Sequence, residues 1–130
     1  MISAIRLSGV IAPMVIEGPM DSVVFRGYVE RVLAPVLLRR DIVVMDNLAP
    51  HKTDGVRAAI DAVGAHLCYL PPYSPDFNPI EPMWSKVKWI VRSCTARTSR
   101  SLLSAIGKGL RAVTPADCHG FFHGCGYSAT

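Results

Sequence analysis

Asp46 and Glu81 are the two residues whose type and setting suggest chemistry, with 34 residues between them. Asp46 closes the run Asp41-Ile42-Val43-Val44-Met45-Asp46, and Glu81 closes Asn78-Pro79-Ile80-Glu81. A divalent cation that activates water for phosphodiester cleavage needs hard oxygen ligands, usually carboxylates, converging on one point. Two such ions roughly 4 Å apart can hold the attacking and leaving oxygens of an in-line displacement. The end of a strand and the first turn of a neighbouring helix can bring two carboxylates together without strain. Plainer readings exist for both. Asp46 followed by Asn47 suits a turn, and Glu81 suits the third position of a capping box, worth ~1 kcal/mol. Local chemistry leaves the choice open.

The elements that would position these acids can be read from the pattern. Residues 2–7 and 10–17 are β-like runs divided by Ser8-Gly9, which predicts a hairpin. Gly18-Pro19 breaks the second run, and Asp21 is placed to cap a helix. Phe25, Val29, Val32 and Val36 form its apolar stripe, and Pro35 is expected to end or bend it near Ala34. The four apolar residues before Asp46 predict a strand buried on both faces, with Asp46 and Asn47 at its C-terminal end, where open α/β sheets gather ligands. Thr53 is read as the cap of a second helix, with Val56, Ala59, Ile60 and Val63 inward and Gly64 as its stop. Residues 66–70 predict another buried strand. Pro71, Pro72, Pro75 and Pro79 stiffen the connection after it. Asn78 at the N-cap, Pro79 at N1 and Glu81 at N3 then predict a helix with Ile80, Trp84, Val87 and Val91 inward. Glu81, Ser85, Lys88 and Arg92 share another of its faces. A further helix is expected from about Ser99, with Leu103, Ile106, Leu110 and Val113 apolar, before a short final turn at Thr114-Pro115. Strand and helix alternate from residue 22 to 92, the mark of an α/β fold.

Half of the 130 residues are apolar and 18% are charged, a packed composition with room for one domain and one core. The net charge is +4. Residues 82–116 carry seven Lys or Arg and no Asp or Glu, which suits a surface facing phosphates and equally a solvated helix face. No segment is long and apolar enough to span a membrane. The N-terminus lacks signal-peptide architecture, so a cytoplasmic protein with thiol cysteines is expected. Cys118, His119, His123 and Cys125 are metal-ligand types, but their spacing matches no common zinc module, and a partly buried tail is the expected account.

The longer strings VVMDNLAPHK (43–52) and LPPYSPDFNPIEPMWSKVK (70–88) resemble the catalytic core of mariner-superfamily DDE transposases, in the branch found in bacterial insertion sequences. The resemblance runs from about residue 2 to Tyr127, and YSPDFNPIE is its most specific part. It implies that Asp46 and Glu81 are the second and third carboxylate ligands of a two-metal site that takes Mg²⁺ or Mn²⁺. It implies an RNase H-like fold, a mixed sheet flanked by helices, and DNA (transposon ends and target) as the partner in the bacterial cytoplasm and nucleoid. By the same resemblance Asn47 orients the Asp46 loop and His51 supports the site. Lys52 lies near it as a DNA contact, and Lys86, Lys88 and Arg92 face the DNA backbone.

The family pattern also asks for a first acid on the first, central strand, and the match begins after that strand. Glu17, Asp21 and Asp41 do not fit its motif. An upstream helix-turn-helix region that reads transposon ends is likewise not among these residues. The expectation is therefore a partial catalytic domain over residues 1–130, with little cleavage and marginal stability unless an upstream transposase polypeptide, or a homo-oligomer, completes it. The alternative is an inactive remnant that binds DNA or intact transposase.

Overall fold

Asp21 accepts the backbone N–H of Val24 at 2.8 Å and so starts the first helix, α1 (Ser22–Tyr28), as its cap position predicts. The computed structural model describes residues 1–16, 18–47, 54–72 and 75–127. Thr53, His51 and Lys52 lie outside the described residues, so the expected cap of the second helix does too.

After α1 the chain widens into a π-helical turn, Val29–Leu33, and tightens into a 3-10 turn, Ala34–Val36, that contains Pro35 and ends in extended Leu37. The bend at Pro35 is where the sequence puts it. The buried stripe holds in part, with Phe25 and Val29 buried and Val32 packed against the same core. Phe25, Tyr28, Val29 and Leu33 are buried, while Val36, expected inward, is 46% exposed. Hydrogen bonding from i to i+5 turns each residue through a smaller angle than an α-helix does. Five such residues bring Leu33 to the face that a regular helix would have given to Val36.

The described chain forms two compact units. The first contains Met1–Ala4 and Ile11–Asn78, and the second contains Ile5–Val10 and the chain from Pro79 onward. Strands β1 (Ile2–Arg6) and β2 (Gly9–Met14) pair as the predicted hairpin, with Gly9 at φ +146° beside the turn.

In the first unit β3 (Ile42–Met45) runs parallel to β4 (His66–Tyr69), with Ile42 opposite His66 and Met45 opposite Tyr69. Between them lies α2 (Asp54–Ala62). It stops as predicted at Gly64 (φ +80°), where Ala65 N–H donates to Ile60 O and Gly64 N–H to Asp61 O, the two bonds of a Schellman motif. Val43, Met45, Leu67 and Tyr69 pack into one core with Phe25, Tyr28, Val56 and Ile60. The expectation that β3 is buried on both faces needs correction, because Ile42 is 68% exposed. The α1 and α2 side chains fill one face of a two-stranded sheet, so only alternate strand residues meet that core.

The second unit holds α3 (Ile80–Ser93), α4 (Ser99–Arg111) and α5 (Pro115–Gly124). Met83, Val87, Val113 and Cys118 form its core, with Ile80, Trp84, Val91, Leu110 and Phe121 against them. Length suggests one core; these helices bury enough apolar surface among themselves to make a second. The close approach is set by Gly109, where a Cβ would lie 3.1 Å from Val87 Cγ1 and 3.3 Å from Val87 O. Leu103 accordingly stays 52% exposed, and small Ala105 and Gly109 take the inner face of α4. The tail is a ten-residue helix and not a short turn. Thr114 and Asp117 cap it reciprocally at 3.1 and 3.0 Å, with Pro115 in the first turn.

Five α-helices and two small sheets among the described residues make a mixed α/β architecture, consistent with an RNase H-like fold lacking a strand.

Candidate metal centre

Parallel pairing of β3 and β4 delivers Asp46 to the C-terminal end of the strand pair, where Leu70 N–H still donates to Met45 O at 2.9 Å. From the far side of the proline-rich connection comes Asn78, 7% exposed. Its Nδ2 donates to Asp46 Oδ1 at 2.8 Å. The sequence reads Asn78 as a helix cap, and the structure corrects this. The N-cap of α3 is Pro79 (φ −61°, ψ −17°), with no side-chain cap bond. The amide nitrogen of a buried carboxamide gains a charged acceptor here, and hydrogen bonds to ionised groups are the stronger kind. Glu81 consequently sits at the second helical position, in the first turn and exposed, where the N-terminal end of the helix dipole favours an acid.

Next to Asp46, the Asn47 side-chain oxygen Oδ1 is buried without a hydrogen-bond partner, the one such side-chain atom among the described residues. A buried acceptor in that state costs about 1–3 kcal/mol unless a donor or a cation satisfies it. An amide oxygen and a held carboxylate on successive residues are hard oxygen donors, the type of ligand a divalent cation takes. Among the described residues no three His, Cys, Asp or Glu side chains are gathered as a metal cage. Asp21 and Asp41 are engaged in local backbone bonds, Asp21 to Val24 N–H and Asp41 Oδ2 to Leu38 N–H at 2.7 Å.

Three cations were expected on α3. Lys88 and Arg92 are exposed with Glu81 and Ser85, as the helical spacing predicts. Lys86 is half-buried and forms an ion pair with Asp117 of α5, which, with the Thr114 backbone N–H, holds the Asp117 carboxyl below its ordinary range. Cys118 is fully buried in the helical core, and burial with the Asp117 charge pushes its thiol pKa up. It packs as a small apolar side chain.

Residues 1–103 match the family described as DDE superfamily endonuclease. The chain belongs to that superfamily. No curated protein matches it. DDE superfamily endonuclease domains generally use divalent metal ions and act on DNA, which agrees with the oxygen donors at the end of β3. Among the described residues no helix is long and apolar enough to cross a membrane. Sequence reasoning missed that Asn78 bonds to Asp46. The signal was there, an amide donor three residues ahead of the acid, but a cap explained it equally well.

Proposed function

We propose that this DDE domain is the C-terminal part of a transposase catalytic domain of the mariner superfamily, from the bacterial insertion-sequence branch. It cleaves and joins DNA strands when an upstream polypeptide supplies the first acid. Asp46 and Glu81 are the second and third metal-ligand carboxylates. The observation that supports this best is the 2.8 Å hydrogen bond from Asn78 to Asp46, by which the NPIE motif reaches the DN motif.

Mg²⁺, or Mn²⁺ in its place, would supply Lewis-acid stabilisation of the displacement at phosphorus. The role of this chain is to present oxygen donors: Asp46 held by Asn78, the buried oxygen of Asn47 next to it in sequence, and Glu81 at a helix start. Lys88 and Arg92, with Lys52, neutralise backbone phosphates, and His51 supports the site. Lys86, paired with Asp117, is the weakest candidate for that work. The setting is the bacterial cytoplasm and nucleoid, with an upstream transposase polypeptide or a second copy as protein partner.

The test mixes the purified chain with a polypeptide carrying an Asp-bearing strand and with plasmid DNA containing transposon ends. Divalent-ion-dependent nicking is expected from the mixture, with little from the chain alone, and Asp46→Ala or Glu81→Ala should abolish it. Nicking that survives both substitutions would refute the ligand assignment. Robust nicking by the chain alone, lost in Asp46→Ala, would refute the need for a supplied acid.

A further inference from the structure

We infer that Asn78 is a positioning residue for metal binding: its amide sets the direction of the Asp46 carboxylate, and Asn47 Oδ1 adds a third oxygen to the same end of β3. The inference rests on the proposed ligand role of Asp46 and goes beyond it by assigning work to two carboxamides.

Three observations carry it. First, the Asn78–Asp46 bond is short, 2.8 Å, and its donor is buried, so water competes poorly for it. Second, the bond spans 32 positions and joins the NPIE segment to the DN segment, so the fold and not the local sequence places it. Third, Asn47 Oδ1 is buried without a donor in the described structure, on the residue that follows Asp46. Buried acceptors are nearly always satisfied, and a cation or its bound water satisfies this one. Groups that orient a metal-ligating carboxylate commonly govern affinity as strongly as the ligands do.

The experiment is Mn²⁺ titration of the full chain, isotope-labelled, followed by paramagnetic broadening of backbone and side-chain amide signals in NMR spectra. Mn²⁺ alone is the probe, and no activity is read. In the unaltered chain, broadening at millimolar Mn²⁺ should centre on Asp46, Asn47 and Asn78. Asn78→Leu keeps the shape and removes the donor, and should weaken the apparent affinity by about tenfold while signals far from the site stay in place. Asn78→Ser retains a donor, tolerates the buried position better, and should recover part of the loss. Asn47→Ala should weaken binding to a lesser extent.

Unchanged affinity in both Asn78 variants would overturn the positioning role and leave the ligand assignment standing. Broadening that ignores Asp46→Ala, or no localised broadening in the unaltered chain, would overturn the ligand assignment itself and the inference with it. Should Asn78→Leu lose its dispersed spectrum, Asn78→Ser decides: affinity reduced less than in Asp46→Ala, with Asp46 signals shifted, supports the role, and affinity equal to the unaltered chain with unshifted signals overturns it.

Discussion

Asn78 and Asp46 stand 32 positions apart in the chain and are joined by one 2.8 Å hydrogen bond, amide to carboxylate. The donor is buried, and the acceptor ends a strand. Asn78→Ala should therefore destabilise the first unit by about 1.5–3 kcal/mol, the range for hydrogen bonds to charged groups. Urea denaturation checks it. Asn78→Asp places a second carboxylate in the donor's position. Its deficit should exceed that of Asn78→Ala at neutral pH and shrink as the pH falls into the carboxylate range, because protonation restores a donor.

The two glycines of α4 should respond in opposite senses. Gly109→Val drives branched carbon into Val87, including backbone oxygen 3.3 Å from the first added atom, and should cost about 1–3 kcal/mol. Gly107→Ala meets only the mobile end of Arg111, at 3.1 Å, and should gain up to about 1 kcal/mol from helix propensity. Melting temperatures of the two variants, measured together, check the pair.

Tyr28 donates its hydroxyl to Ala12 O at 2.8 Å, pinning β2 where Ala12 takes a positive φ of 50°. Tyr28→Phe should cost about 1 kcal/mol. Burial pushes the phenol pKa well above its ordinary value of 10.0. The folded state therefore disfavours the phenolate, so the contribution is whole below pH 10 and is lost as the pH rises toward the raised value. The unaltered chain should lose stability above about pH 10, and Tyr28→Phe should lose less over the same range. A stability curve from pH 8 to 12 separates them.

At the acid end the relevant group is Asp117, whose carboxyl is lowered first by Lys86 and then by the Thr114 N–H. A depressed carboxylate stabilises the fold above its ordinary value of 3.8 and loses that contribution as the pH falls through the folded value. Asp117→Asn should lower the melting temperature at neutral pH and flatten its fall below about pH 4. Both partners are part-exposed, so added salt should narrow the gap between the two proteins.

Much of the local structure was legible in the residues themselves. Asp21 as a cap, Gly64 as a stop, the hairpin at Gly9 and the strands before Asp46 and around Leu67 all follow from short-range sterics and hydrogen bonding. So does the exposed face of Glu81, Ser85, Lys88 and Arg92, since helical periodicity alone creates it. The superfamily was likewise legible in the string of residues, since residues 1–103 match it.

The tertiary structure decided which of two equally good local uses each ambiguous residue takes. Asn78 reads as a cap, but the helix starts one residue later with Pro79 at the N-cap, and burial beside Asp46 gives the Asn78 amide a charged acceptor. Lys86 could have faced solvent but was claimed by Asp117, itself held in place by the cap of a helix that the sequence suggested was only a turn. Val36 lost its inward place to Leu33 when the helix widened, and Leu103 lost its place when Gly109 drew α4 against Val87. Asp46 and Glu81 can be named as candidate ligands from the sequence. That Asp46 is gripped by Asn78 cannot be read there, because a hydrogen bond spanning 32 positions exists only once the chain is folded.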